Sequence, residues 1–128
     1  MLTLSLIFAG LAAALHVYIF VLESVLWTRP STRAVFGIDD EDQARALAPM
    51  AFNQGFYNLF LAMIAAAGVI ATAMGEHAVG AALIVAGVGS MLAAAIVLVA
   101  HDRTQASAAL KQGTLPALAL VTLAISLL

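Results

Sequence analysis

The chain has 128 residues, of which 64% are hydrophobic and 9% charged, well above the roughly 45–50% apolar usage of soluble domains. Its net charge is −2 with only five basic residues, which excludes a nucleic-acid-binding surface. No cysteine is present, so disulfides, thiolate metal sites and cysteine nucleophiles are excluded as well. With a mean hydropathy of +1.08, the composition predicts an integral membrane protein.

The first predicted span covers residues 2–27 and closes at Thr28, Arg29 and Pro30. Trp27 at its end is typical of an interfacial anchor. The apolar run is longer than that of a signal peptide and lacks a basic start, so we predict a retained helix. A spanning helix needs about 20 apolar residues, and the chain length therefore allows about four spans.

The three other predicted spans cover residues 50–74, 80–100 and 112–128. Before Pro49, residues 43–48 are predicted as a separate interfacial helix, with the acidic residues 39–42 at its N-terminal end. The uncharged stretch from Thr114 reaches only about 22 Å at 1.5 Å per residue. Either the fourth helix begins earlier and includes Lys111, or the bilayer thins locally.

The predicted fold is therefore all-α, a transmembrane four-helix bundle with up-down connectivity that forms a single domain over residues 1–128. All Lys and Arg residues lie in two connections, 28–49 and 101–113. By the positive-inside rule both connections are predicted to be cytoplasmic, and both termini then lie outside.

Small residues recur at four-residue spacing in the third span, at Ala82, Ala86, Ser90 and Ala94. Such a stripe allows close helix approach in lipid. We predict that it packs within one bundle. A homo-oligomer is a second expectation, because four short helices enclose little volume.

Polar side chains inside the predicted spans are candidate site residues, because each is costly unless it has a partner. His16 and Glu23 lie seven residues apart on the first span and so face one side; they are candidate catalytic acid or base groups. The predicted topology places a further set in the cytoplasmic half as a ligand-binding polar pocket: Asn53, Gln54, Tyr57, Asn58, His101 and Gln112.

Three functions agree with this pattern. The first, which we favour, is a site that binds a small, mostly apolar molecule, with or without chemistry on it. The others are a small proton-coupled transporter and a structural or accessory membrane subunit whose polar residues only lock helices together. No phosphate loop or complete metal-ligand set is present, so no metal site is predicted, and the sequence leaves the cofactor unknown. A haem or metal role for His16 with His101 is a weaker alternative, because their predicted depths differ.

Several spaced motifs resemble one protein family. They are the stretch from His16 to Glu23 followed by Trp27, then Phe36-Gly37, the stretch from Asn53 to Asn58, and Lys111-Gln112-Gly113 before Pro116. With these motifs the chain resembles the bacterial membrane family called domain of unknown function 1304. The resemblance implies a multi-pass protein of the bacterial inner (plasma) membrane with four helices, and it implies no particular activity.

Overall fold

The computed structural model describes residues 1–128, which form helices and turns with no β-strand. Four helical segments are long and apolar enough to cross a membrane, namely Leu2–Val25, Glu41–Ala73, His77–His101 and Arg103–Ser126. The predicted all-α class with four apolar helices is therefore confirmed. The up-down connectivity and the placement of the termini stay predictions.

The chain forms five α-helices, one π-helical turn and one 3₁₀ turn. Their bounds are α1 Leu2–Phe20, a π-helical turn at Val21–Val25, α2 Pro30–Phe36, α3 Glu41–Ala73, α4 His77–His101, a 3₁₀ turn at Arg103–Gln105, and α5 Ala106–Ser126.

The separate interfacial helix predicted before Pro49 is wrong, because those residues form the start of α3 and Pro49 lies inside it. A proline inside a helix removes one backbone hydrogen bond, to the carbonyl of Arg45. Pro49 and Arg45 are both exposed, so surrounding solvent or headgroups can satisfy that carbonyl. The acidic start is as predicted: Glu41 and Asp42 occupy the first turn of α3.

The fourth apolar segment contains α5, which begins at Ala106 and includes Lys111 and Pro116. Of the two alternatives for a short fourth span, the earlier start is therefore confirmed. The tight turn between α3 and α4 falls where the sequence places it, and Gly75 there has a φ of 93°, a conformation that favours glycine.

Backbone packing divides the chain into two compact units, Met1–Leu15 with Leu61–Leu128, and His16–Phe60. We call these the first and the second unit and describe each by itself. The core of the first unit takes buried residues from four helices: Ala9, Ala12 and Ala13 of α1, Ala62 and Ala65 of α3, Ile84, Val88 and Met91 of α4, and Ala119 and Leu123 of α5. This unit is thus a helical bundle built largely on alanine, which lets helices approach closely.

The predicted packing stripe on the third span is wrong. Ala82, Ala86, Ser90 and Ala94 are all exposed. The packed face of α4 instead contains Gly87, where an added Cβ would lie 2.8 Å from the backbone nitrogen of Ala65. A residue without a Cβ allows a closer backbone approach than alanine does, so the glycine face packs inward and the alanine face is left outside.

The second unit contains the end of α1, α2 and the first half of α3. Trp27 packs against Phe36, with ring centroids 5.1 Å apart, and its indole Nε1 donates a hydrogen bond to the carbonyl of Ala44 at 2.8 Å. Gly37 ends α2 with a φ of 68°. Trp27 therefore fixes the connection to the start of α3, in addition to its predicted place at the interface.

Candidate functional site

Glu23 is the one buried carboxylic acid in the protein, with 9% of its surface exposed. It lies in the π turn, where the backbone N–H of Leu26 donates to the carbonyl of Val21 at 2.9 Å. A π turn adds one residue to a helical turn and shifts the direction of the side chains that follow. Such turns are rare and often occur at functional sites.

The Glu23 carboxylate is held by an amide from the neighbouring helix. Asn58 Nδ2 donates to Glu23 Oε2 at 2.8 Å and to the backbone carbonyl of Gln54 at 3.2 Å. Both donor hydrogens of the Asn58 amide are therefore used, and the side chain is fixed in orientation. Glu23 Oε1 accepts no hydrogen bond, so one carboxylate oxygen keeps its acceptor capacity.

A close backbone approach brings the two partners together. A Cβ added at Gly55 would lie 3.1 Å from the Cβ atoms of both Glu23 and Ser24, and closer still to Ser24 Oγ. Ser24 Oγ itself donates to the carbonyl of Phe52 at 2.8 Å. A side chain at position 55 would have to displace Ser24 Oγ and press against the Cβ of Glu23, so Gly55 and Ser24 set the distance at which Asn58 reaches Glu23.

The same two segments also meet through a cluster of aromatic rings. Phe20, immediately before the π turn, packs edge-on against Phe56 with ring centroids 5.1 Å apart. Phe56 in turn contacts Phe52 at 5.0 Å and Phe60 at 6.1 Å. Near the Glu23 contact, the end of α1 and α3 are therefore also held together by apolar, aromatic packing.

The other predicted site residues of the second unit have different surroundings. His16 is buried, with 2% exposed, and its role as an acid or base stays a prediction. Asn53, Gln54 and Tyr57 are exposed, Tyr57 by 56%. On α3, Asn53 and Tyr57 lie on the face opposite Gly55, which faces Ser24, so the structure does not bring them together with Glu23, and their role in ligand binding stays a prediction.

His101 and Gln112 belong to the first unit, at the end of α4 and within α5. His101 is exposed and Gln112 is half-buried. Between them, Asp102 caps the 3₁₀ turn by accepting from Thr104 Oγ1 at 2.7 Å and Thr104 N at 2.9 Å. These bonds, the hydroxyl bond first, hold the pKa of Asp102 below its ordinary value.

Sequence reasoning identified Glu23 and Asn58 but missed Ser24 and Gly55. A signal for both is present: a serine next to the acid, and a glycine among the aromatic residues of α3 that could mark a close approach. The π turn has no sequence signal that we recognise. No group of three or more His, Asp or Glu side chains is placed to hold a metal ion.

The model of the family described as protein of unknown function (DUF1304) matches residues 10–124. Neither the curated proteins nor the solved structures contain a match.

Proposed function

The chain belongs to the DUF1304 family of unknown function, and we propose that Glu23 with Asn58 is the polar anchor of an intramembrane site for a small, mostly apolar molecule. The observation that supports this is the buried carboxylate on the π turn, with one oxygen bonded to Asn58 and the other open. The open oxygen suits a ligand that carries a hydroxyl or amine donor. The aromatic side chains of Phe20 and Phe56, which join the same two segments, suit the apolar remainder.

The free-energy balance favours a role beyond helix locking. An interhelical hydrogen bond in a membrane contributes about 0.6 kcal/mol on average. Burying an ionisable group costs free energy, most at the centre of a span and less near its end, and Glu23 lies close to the end of the span Leu2–Val25. A glutamine at position 23 would accept the same bond from Asn58 without that cost, so locking alone does not account for the acid.

In this proposal Glu23 binds the donor of the ligand and can exchange a proton with it. Asn58 holds the carboxylate in place. Asn53, Gln54 and Tyr57 are exposed on other faces of α3, and the proposal does not depend on them. His16 lies before Glu23 in the chain, on α1, and is buried. It is a second candidate acid or base.

A hydrophobic carbodiimide tests the proposal, because it is itself a small apolar molecule that reacts with carboxylic acids. The protein is purified, reconstituted in phosphatidylcholine vesicles and treated, and adducts are mapped by mass spectrometry. We expect an adduct at Glu23 and none at Glu41 or Glu76, whose exposed carboxylates lie outside the apolar reach of the reagent.

A reagent that labels Glu23 in the unfolded chain but leaves it unmodified in vesicles would show that no small molecule reaches the carboxylate. That result would overturn the proposal and favour the structural subunit. Glu41→Gln is the matched control for loss of one carboxylate, because its side chain is exposed.

Proton-coupled transport is a second candidate, favoured by the fact that Glu23 is the one buried acid of the chain. It predicts movement of a donor-carrying apolar dye across reconstituted vesicles, driven by a pH gradient and abolished by Glu23→Gln. Dye movement that is indifferent to the gradient, or equal in the variant, would contradict it.

A further inference from the structure

The Glu23 carboxylate has no opposite charge bound to it within the protein. The ion pair of the chain joins two other residues, Arg45 and Glu41, both at the surface. The one group that donates to Glu23 is the side-chain amide of Asn58, which is neutral. Because buried charges in proteins are normally paired with an opposite charge or a metal, the site has a place for a cation.

The second oxygen of this carboxylate can be reached by a ligand atom. Glu23 Oε1 accepts no hydrogen bond, yet the one fully buried side-chain nitrogen or oxygen without a partner is Nε of Arg33. Glu23 Oε1 therefore keeps some accessible surface, although the residue as a whole is only 9% exposed. A donor can approach this oxygen while Asn58 holds the other.

The charge of the second unit also favours a cation. The unit His16–Phe60 contains five acidic and three basic side chains, whereas the rest of the chain contains two of each. The whole net charge of −2 thus belongs to the unit that contains Glu23. A region of net negative charge attracts cations and repels anions.

The position of Glu23 along its helix suits an amphiphile. Glu23 lies two residues from the end of the span Leu2–Val25. Phe20, which packs against Phe56, lies three residues nearer the middle of that span, about 4.5 Å along the axis at 1.5 Å per residue. A ligand with its cation at Glu23 can therefore place its apolar part at the depth of these rings.

We infer that the ligand of this site is an amphiphilic organic cation, a protonated amine with an apolar body. Its ammonium group donates to Glu23 Oε1 and balances the carboxylate charge, which a neutral hydroxyl does not do. A hydrogen bond between two charged groups is also roughly twice as strong as a neutral one. The inference rests on the proposed function, and it narrows the ligand from any hydrogen-bond donor to a cation.

Equilibrium dialysis with two probes of matched shape tests the inference. Naphthylmethylamine is protonated at neutral pH, and naphthylmethanol carries a hydroxyl in place of the ammonium group. The full chain is held in phosphatidylcholine nanodiscs, and empty nanodiscs correct for partition of each probe into lipid. We expect saturable binding of the amine, and roughly tenfold weaker binding of the alcohol, the factor for exchanging a charged hydrogen bond for a neutral one.

Two variants show whether Glu23 is responsible. Glu23→Gln should weaken amine binding to the level of the alcohol. Glu41→Gln removes one carboxylate from an exposed position of the same unit and should leave amine binding unchanged. Alcohol binding as tight as that of the amine, with both lost in Glu23→Gln, would overturn the inference and leave the proposed site standing. If neither probe binds the unmodified protein more tightly than Glu23→Gln, the inference and the proposed site both fail.

Discussion

At the residue scale, the candidate site consists of one pair of side chains, Glu23 and Asn58. A buried carboxylate is costly unless a donor bonds to it, and a fixed amide donates to Glu23 at 2.8 Å. Sequence reasoning found both residues from their polarity inside apolar spans. It did not pair them, because the seven-residue spacing of Glu23 from His16 says nothing about which residue of the next helix faces it.

The two partners should respond differently to substitution. Asn58→Leu leaves the carboxylate without its donor and should lower the free energy of unfolding by about 1–3 kcal/mol. Glu23→Gln keeps an acceptor for Asn58 and should change it by less than about 1 kcal/mol. Reversible unfolding in mixed detergent micelles measures both. A larger loss for Glu23→Gln than for Asn58→Leu would show that the charge itself stabilises the fold.

At the element scale, close helix contacts at glycine decide the packing, and sequence predicts them poorly. The stripe at Ala82, Ala86, Ser90 and Ala94 has the regular spacing of a packed face, yet it is exposed. The close contacts lie instead at Gly80 and Gly87, two helical turns apart, where an added Cβ would lie 2.8 Å from the backbone nitrogens of Thr72 and Ala65. Spacing identifies a candidate face, whereas the absence of a Cβ at one position decides which face packs.

A matched pair on α4 checks this account. Gly87→Ala places a Cβ 2.8 Å from the Ala65 nitrogen and should lower the free energy of unfolding by about 1–3 kcal/mol. Gly89→Ala meets nothing within 4 Å and should be neutral, or stabilising by up to about 1 kcal/mol. Equal effects of the two changes on unfolding in micelles would be evidence against the close contact at Gly87.

The cap at Asp102 gives a prediction for pH. Its pKa is lower in the folded chain than in the unfolded chain, so its stabilising effect is fully present above the unfolded pKa of about 3.9. The effect is lost as the pH falls through the folded pKa. The hydrogen-exchange protection factor of the Thr104 amide should therefore fall in acid, and Asp102→Asn should remove that dependence. An unchanged protection factor in acid would contradict the cap.

At the scale of the whole molecule, composition and hydropathy predicted most of the fold. Four apolar runs became four apolar helices, and the turn at Gly75 fell where expected. The boundary at Pro49 was wrong because a proline near an exposed helix end does not break the helix. The earlier start of the fourth helix, one of the two predicted alternatives, was confirmed because α5 extends back past Lys111. Where a helix begins or ends therefore depends on its surroundings as well as on its own residues.

The orientation remains a prediction that the absence of cysteine makes easy to test. Ser31→Cys and Gln105→Cys, one in each basic connection, should react with a membrane-impermeant thiol reagent only after the cytoplasmic side is exposed. Glu76→Cys in the other turn should react in intact cells. A reversed pattern would show that the basic connections lie outside.

The most direct test of the central proposal is native mass spectrometry of the protein gently extracted from its own membrane. We predict a bound small molecule that is retained by Glu41→Gln and lost in Glu23→Gln, while both variants keep the unfolding midpoint of the unmodified protein. A chain that carries no small molecule, or one that Glu23→Gln retains in full, would contradict the proposal that Glu23 anchors a ligand.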